Sequence, residues 1–152
     1  MSISYIYTIL EDLKTQMKEK ITPGTFYDTS PTIKRGITTW QDTEELRPFI
    51  WFISDSIEYE ETLSTTTIVA INIELVGYAD TDGYGNNDNM FKLLKDVEYF
   101  LLNDYKDADD NNMQVSLVDC VIEEGGINEE VGQAAFSINI RVLTEFNSGT
   151  IL

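Results

Sequence analysis

The sequence contains no histidine among its 152 residues. Without an imidazole, the Ser-His-Asp and Cys-His nucleophile systems, histidine metal sites and the usual general base near neutral pH are excluded. The single cysteine, Cys120, allows neither an internal disulfide nor a site with several thiolate ligands. Because its strand neighbours include Val118, Val121 and Ile122, we predict a core-packed, inert thiol. We therefore predict that the chain is not an enzyme.

Cationic residues are also scarce. Lys and Arg total 10 against 27 Asp and Glu, so the net charge is −17. This balance excludes a free surface that wraps DNA phosphates. Long apolar runs are missing too, and the segment from Met1 to Leu13 lacks the cationic start of a signal peptide. We expect a soluble protein that is made in the cytoplasm and has no membrane partner.

The apolar residues, 42% of the chain, suffice for the core of one domain spanning residues 1–152. Apolar positions three or four residues apart predict two amphipathic helices. The first helix carries Ile3, Ile6, Leu10, Leu13 and Met17. The second starts at Met90, after an N-cap at Asn87 or Asp88, and its wide apolar arc extends to Leu102. The solvated side of this second helix is expected to contain Lys92, Lys95, Asp96 and Asn103.

Five segments are predicted to be strands. The first covers Thr32 to Thr39, and the second begins with Phe49 to Ile53, where every residue is apolar and both faces must be covered. That strand then turns polar and is expected to end in a loop from Glu58 to Ser64. The alternating run from Thr65 to Tyr78 returns as the second arm of a long hairpin. The last two strands are predicted over Met113 to Glu123 and Gly132 to Phe146, the latter with four inward-pointing residues: Phe136, Ile138, Ile140 and Val142.

This element order, α-β-β-β-α-β-β, predicts an α+β fold. We expect an antiparallel-rich or mixed sheet of about four to five strands with two main helices packed on it.

The sequence offers no motif that builds a chemical site. Asp80-x-Asp82 with Gly85 is similar to the start of a calcium loop, but Tyr84 and Phe91 stand where two oxygen donors are required. The glycine pairs in loops lack the pattern of a phosphate-binding loop. We therefore predict no catalytic residue, no metal site, no cofactor and no small-molecule substrate.

Aromatic residues in polar surroundings, with arginines near them, indicate protein contacts, because both residue types are enriched at interfaces. Together with two glutamates of the acidic segment around Tyr59, they form the predicted interface set: Phe26, Tyr27, Arg35, Trp40, Arg47, Tyr59, Glu60, Glu61 and Tyr84.

From Arg47 to Val142 the chain resembles the tail terminator, or tail completion, proteins of long-tailed bacteriophages. The resemblance lies in patterns along the chain and not in a catalytic signature. They are Arg47-Pro48-Phe49-Ile50-Trp51, Glu58-Tyr59-Glu60-Glu61, the strand Ile68 to Leu75 closing in Val76-Gly77-Tyr78-Ala79-Asp80, the helix with Leu93-Leu94-Lys95-Asp96-Val97 and Leu101-Leu102, and Ala134-Ala135-Phe136-Ser137-Ile138-Asn139-Ile140.

The resemblance implies a structural virion protein at the tail–neck junction. Such a protein forms a ring, commonly a hexamer, that ends polymerisation of the major tail tube protein and joins the tail to the head–neck connector. DNA only passes through the lumen, and negative charge there would keep phosphates from sticking. Two alternatives stay open: a phage neck or head-closure protein, and an acidic, DNA-mimicking module that binds a basic protein as a monomer or dimer.

Overall fold

The computed structural model describes residues 5–63, 66–106 and 113–145. The chain begins with helix α1 (Tyr5–Lys20) and the short strand β1 (Thr32–Arg35). A 3₁₀ turn (Trp40–Thr43) leads to the long strands β2 (Phe49–Leu63) and β3 (Thr66–Asp80). Helix α2 (Asp88–Tyr99) continues into a π-helical turn (Phe100–Asp104), and strands β4 (Met113–Glu123) and β5 (Val131–Glu145) complete the fold.

The strands form one five-stranded sheet in the order β1-β2-β3-β5-β4. β1 runs parallel to β2, and the other neighbours are antiparallel, so the sheet is mixed. The predicted α+β class, the strand number and the order α-β-β-β-α-β-β are confirmed.

Both helices pack on the same face of this sheet. The main core joins the α1 residues Leu10, Leu13 and Met17 to alternate sheet residues such as Ile71 and Phe136. α2 and its π turn contribute five buried apolar side chains: Met90, Leu93, Val97, Phe100 and Leu101. The predicted face of the last strand and the part of the α1 face that the structure describes are therefore confirmed; Ile3 lies outside the described residues. Phe91 and Leu102, at the flanks of the wide apolar arc of α2, remain 43% and 65% exposed.

The face of the sheet opposite the helices is called the open face below. It carries a second buried cluster of Phe49, Trp51, Val76 and Tyr78, in which Trp51 Nε1 donates a hydrogen bond to Tyr78 Oη at 3.2 Å. Ile50 and Phe52, between these residues on β2, belong to the main core. Phe49 to Ile53 is thus a strand covered on both faces, as predicted.

Three predicted boundaries or environments are wrong. The first strand ends at Arg35, because Gly36 follows with a φ of 98°. The segment predicted as a loop from Glu58 belongs to β2, which pairs with β3 as far as Leu63; its polar side chains do not prevent backbone pairing, and two register shifts interrupt the ladder. Ser64, the end of that predicted loop, lies outside the described residues.

Asp96 was expected on the solvated side of α2 and is instead fully buried. Its carboxylate accepts hydrogen bonds from the backbone N–H of Asp28 and from the N–H and hydroxyl of Thr29. The segment between α1 and β1 therefore covers this side of the helix. The sequence could not place that segment there, because its partners lie about 67 residues away along the chain.

Candidate interaction surfaces

Three loops meet at one end of the sheet, which we call the loop end: residues 36–47, 80–87 and 124–130. The strand register brings them together, because Phe49 pairs with Tyr78, Asp80 with Val131 and Glu123 with Gln133. Two of the predicted interface aromatics lie here, Trp40 at 42% exposure and Tyr84 at 84% exposure.

Two depressions flank the β4–β5 loop at the loop end. The first, of about 410 Å³, is lined by Trp40, by Val131 and Gln133 of β5, and by four glutamates: Glu123, Glu124, Glu129 and Glu130. The second, of about 680 Å³, is lined by Tyr84, Arg47 and several carboxylates, and it shares Glu129 and Glu130 with the first. Trp40 and Tyr84 therefore border a continuous acidic surface.

Arg47, another predicted interface residue, is buried beside a carboxylate of its own chain. Its side chain is only 2% exposed, and its Nη1 lies 3.0 Å from Asp80 Oδ1. The strand register explains this position. Phe49 at the start of β2 pairs with Tyr78, and because the two strands are antiparallel, Arg47, two residues before Phe49, lies beside Asp80, two residues after Tyr78.

Tyr27 is likewise not an exposed loop residue, whereas its neighbour Phe26 is 58% exposed. Phe26 stacks on Tyr99 with ring centroids 5.2 Å apart, and Tyr27 meets Tyr99 edge-on at 5.4 Å. The Tyr27 hydroxyl donates a hydrogen bond to Asp104 Oδ2. Burial, followed by the hydrogen bond to Asp104 and its charge, raises the pKa of the Tyr27 phenol. Tyr27 thus anchors its loop to the end of α2.

Arg35 is engaged within the chain. Its Nη1 lies 2.7 Å from Glu11 Oε1, and its guanidinium carbon lies 5.1 Å from the centre of the Tyr7 ring. These contacts tie β1 to α1, and the half-buried Arg35 side chain is separate from the loop end.

The remaining predicted contact residues lie on the distal half of the β2–β3 hairpin. Tyr59 is 70% exposed, as expected for a surface aromatic. Glu60 Oε2 is 2.5 Å from Arg141 Nη2 across the sheet. Glu61 belongs to β2, but its side chain lies outside the described residues. The nine predicted residues are therefore distributed over several separate surfaces.

Charge is segregated between the two sides of the molecule. Every lysine of the chain lies outside strands β2, β3, β4 and β5, and Arg141 is the one cationic residue within them. By register, the open face carries a series of carboxylates beyond the apolar cluster: Asp55, Glu58, Glu74, Asp119 and Glu123. Arg141 is already paired with Glu60, so this face is strongly acidic.

Strand β4 is an open edge of the sheet and a surface that the sequence analysis missed. Its outer side has no neighbouring strand among the described residues, and Val118, Val121 and Ile122 are 64%, 59% and 43% exposed. The register shift between Leu117 and Asp119 places Val118 in a bulge. The sequence contains a signal for this surface, because Val121 and Ile122 are adjacent apolar residues. Adjacent residues of a strand point to opposite faces, so one of the two must face away from the core.

Cys120, also on β4, is partly buried against the main core. Burial, with the negative charges of Glu98 and Asp119, raises the pKa of its thiol.

The loop that is similar to a calcium loop is closed by its own backbone. Asp82 Oδ1 accepts hydrogen bonds from the N–H of Tyr84 at 2.8 Å and of Asn86 at 3.1 Å. Asn87 stands at the N-cap position of α2, as predicted, but its side chain makes no capping hydrogen bond. Its amide group instead donates to Gly125 O and accepts from Gly125 N. Within the described ranges, no three acidic or cysteine side chains are grouped to hold a metal ion.

The sequence matches no protein-family profile, and comparison with curated proteins finds no match. Among the helices that the structure describes, none is both long and apolar enough to cross a membrane.

Proposed function

We propose that the chain is a structural assembly protein of a phage tail, which closes into a ring, ends the tail tube and joins it to the head–neck connector. The observation that carries this proposal is that the sheet has two different edges without a neighbouring strand among the described residues. One of these edges is β4. The other is the part of β2 that follows Phe52, because β1 pairs with β2 only from Phe49 to Phe52.

Two unlike edges favour a head-to-tail contact, because a ring requires each subunit to offer one patch to the next subunit and a different patch to the previous one. Both edges carry apolar side chains in water: Val118 and Val121 on β4, and Ile57 and Tyr59 on β2, where Ile57 is 40% exposed. Unpaired strand edges of this kind add strands from another chain readily. The apolar stretch Phe49 to Ile53 is already covered within the chain and is not needed for the contact.

The charge distribution supports a ring through which DNA passes. The proposal turns the acidic open face to the lumen, where its carboxylates repel DNA phosphates and prevent adhesion. The same face also supports the second candidate, an acidic module that binds a basic protein. A head-closure ring is the nearest variant and differs in its target, the connector instead of the tube end.

Mass measurement in solution, across protein concentration and with or without tail tubes, tests the proposal. We expect rings, alone or at tube ends in electron micrographs, and we expect Val118→Lys with Val121→Lys to abolish them. Leu102→Lys is the matched control, since Leu102 is equally exposed but lies on the helix side. A strict monomer under every condition, tubes included, refutes the ring; tight binding of a basic protein by a monomer or dimer would favour the second candidate.

A further inference from the structure

We propose that the loop end binds an arginine-bearing segment of a partner protein, with a guanidinium group held between the Trp40 indole and the glutamates of the β4–β5 loop. The inference goes beyond the proposed function, because it concerns a surface at one end of the subunit and does not depend on ring formation.

The first depression has the composition of a guanidinium site. Trp40 lines it with an indole that is 42% exposed, and Val131 and Gln133 line it from β5. The four glutamates that also line it, Glu123, Glu124, Glu129 and Glu130, make no ion pair with any residue that the structure describes. An exposed indole attracts a cation to its face, and unpaired carboxylates beside it add charge attraction.

In the part of the chain that the structure describes, no free cation lines either depression. Arg47 is the one cationic residue lining either depression within the described ranges, and its side chain is 98% shielded and already beside Asp80. Because its Nη1 lies 3.0 Å from Asp80 Oδ1 and its side chain is buried, Arg47 does not neutralise the glutamates of the β4–β5 loop.

Together these groups fit a peptide segment and not a nucleic acid or a free anion. The segment would place its arginine at Trp40, beside the glutamates that the two depressions share. Arginine fits better than lysine, because its planar group stacks on an aromatic ring while it forms paired hydrogen bonds to a carboxylate, and it is more weakly hydrated. DNA phosphates are repelled by the same carboxylates.

The surface is held in place before any partner arrives. Gly125 is bonded through both its N–H and its C=O to the Asn87 amide, at 2.8 and 2.9 Å. Thr81 N donates to Glu130 O at 2.9 Å, and Asn128 N donates to Gly83 O at 2.8 Å. Because the β4–β5 loop is fixed at both ends, its glutamates need little ordering when a cation binds, which favours affinity.

Binding of a fluorescein-labelled peptide of alternating Arg and Gly, measured by anisotropy at near-physiological salt, tests the proposal. We expect the Trp40→Ala variant to weaken binding about tenfold, although it changes no charge. The double variant Glu129→Gln with Glu130→Gln should weaken binding by about tenfold or more. The matching Lys-Gly peptide should bind several-fold more weakly than the arginine peptide, by roughly the loss of stacking.

The control must separate a site from general attraction to a highly acidic protein. Asp55→Asn with Glu58→Gln removes the same two charges from the open face, away from the loop end, and should change affinity by less than about twofold. The protein has two tryptophans, and Trp51 is only 8% exposed. Protection of fluorescence from acrylamide on peptide binding therefore reports on Trp40, while the retained Trp51 emission of Trp40→Ala checks folding.

Equal weakening by the control variant would reduce the effect to general charge attraction and overturn the proposal. So would an affinity that is unchanged in Trp40→Ala, or an absence of binding at this salt. None of these results bears on ring formation, which is measured separately by mass.

Discussion

Replacing Asp96 by alanine should lower the free energy of unfolding by about 3 kcal/mol. The Asp96 carboxylate is fully buried and accepts bonds from Asp28 N at 3.1 Å, Thr29 N at 2.8 Å and the Thr29 hydroxyl at 2.5 Å. Lys95 Nζ lies 3.3 Å from the same carboxylate. The side chain thus joins α2 to the segment that precedes β1.

The magnitude follows from the donors that lose their acceptor. Each hydrogen bond to a charged acceptor contributes about 1.5–3 kcal/mol, and two of the three donors are backbone N–H groups that cannot rotate toward another partner. The decrease in the free energy of unfolding is smaller than the sum of these bonds for two reasons. The variant no longer has to bury a carboxylate, and Lys95, which is half exposed, can be hydrated instead. Asp96→Asn should cost less, about 1–2 kcal/mol, since its amide oxygen still accepts while its NH₂ group faces donors.

Urea unfolding followed by circular dichroism measures both variants. Glu98→Gln is the matched control, because it removes a carboxylate from the same helix, and it should stay within about 0.5 kcal/mol of the parent. If Asp96→Ala also remained within about 0.5 kcal/mol, the buried carboxylate would not hold the two elements together and the reasoning would fail.

Three further outcomes are expected. Gly125→Ala should destabilise the protein by about 2 kcal/mol in the same urea assay, because a Cβ there would lie 2.7 Å from Val131 O, whereas Gly126→Ala meets only the flexible Glu129 side chain at 3.2 Å and serves as the control; equal losses would contradict this account. Stability should fall as the pH rises above about 10, because the unfolded chain loses the Tyr27 proton there while burial and Asp104 raise the folded pKa; Tyr27→Phe should flatten this decline, and an unchanged slope would argue against it. Cys120 should react with a thiol reagent at about pH 8 more slowly in the folded protein than in urea, because burial raises its pKa, and Glu98→Gln should speed the folded reaction by removing a nearby negative charge; equal rates in both states would show an unprotected thiol.

Period and composition were enough to predict the elements of this fold. Leu10, Leu13 and Met17 recur at helical spacing, and Phe136, Ile138 and Ile140 alternate as a half-buried strand does, so each element's inner face could be read from its own residues. The run from Phe49 to Ile53 could be predicted as a strand covered on both sides because no alternation is present. Such patterns depend only on residues within one segment, so they can be recognised without knowing how the rest of the chain folds.

The candidate surfaces were predictable only in part. Trp40, Phe26, Tyr59 and Tyr84 are exposed aromatics, as their polar neighbours indicated. Their grouping was not predictable, because Trp40 meets the β4–β5 glutamates through strand register between segments far apart in the chain.

The sequence alone determined the α+β class of this acidic chain, its element order and the inward faces of α1 and β5, because these follow from spacing within single segments. Only the tertiary structure decided which polar residues are buried and which strand edges stay open. Tyr27, Arg47 and Asp96 occupy polar segments, yet Asp104, Asp80 and the loop before β1 enclose them. Burial of a polar group depends on a partner from elsewhere in the chain, and no pattern within its own segment encodes that partner.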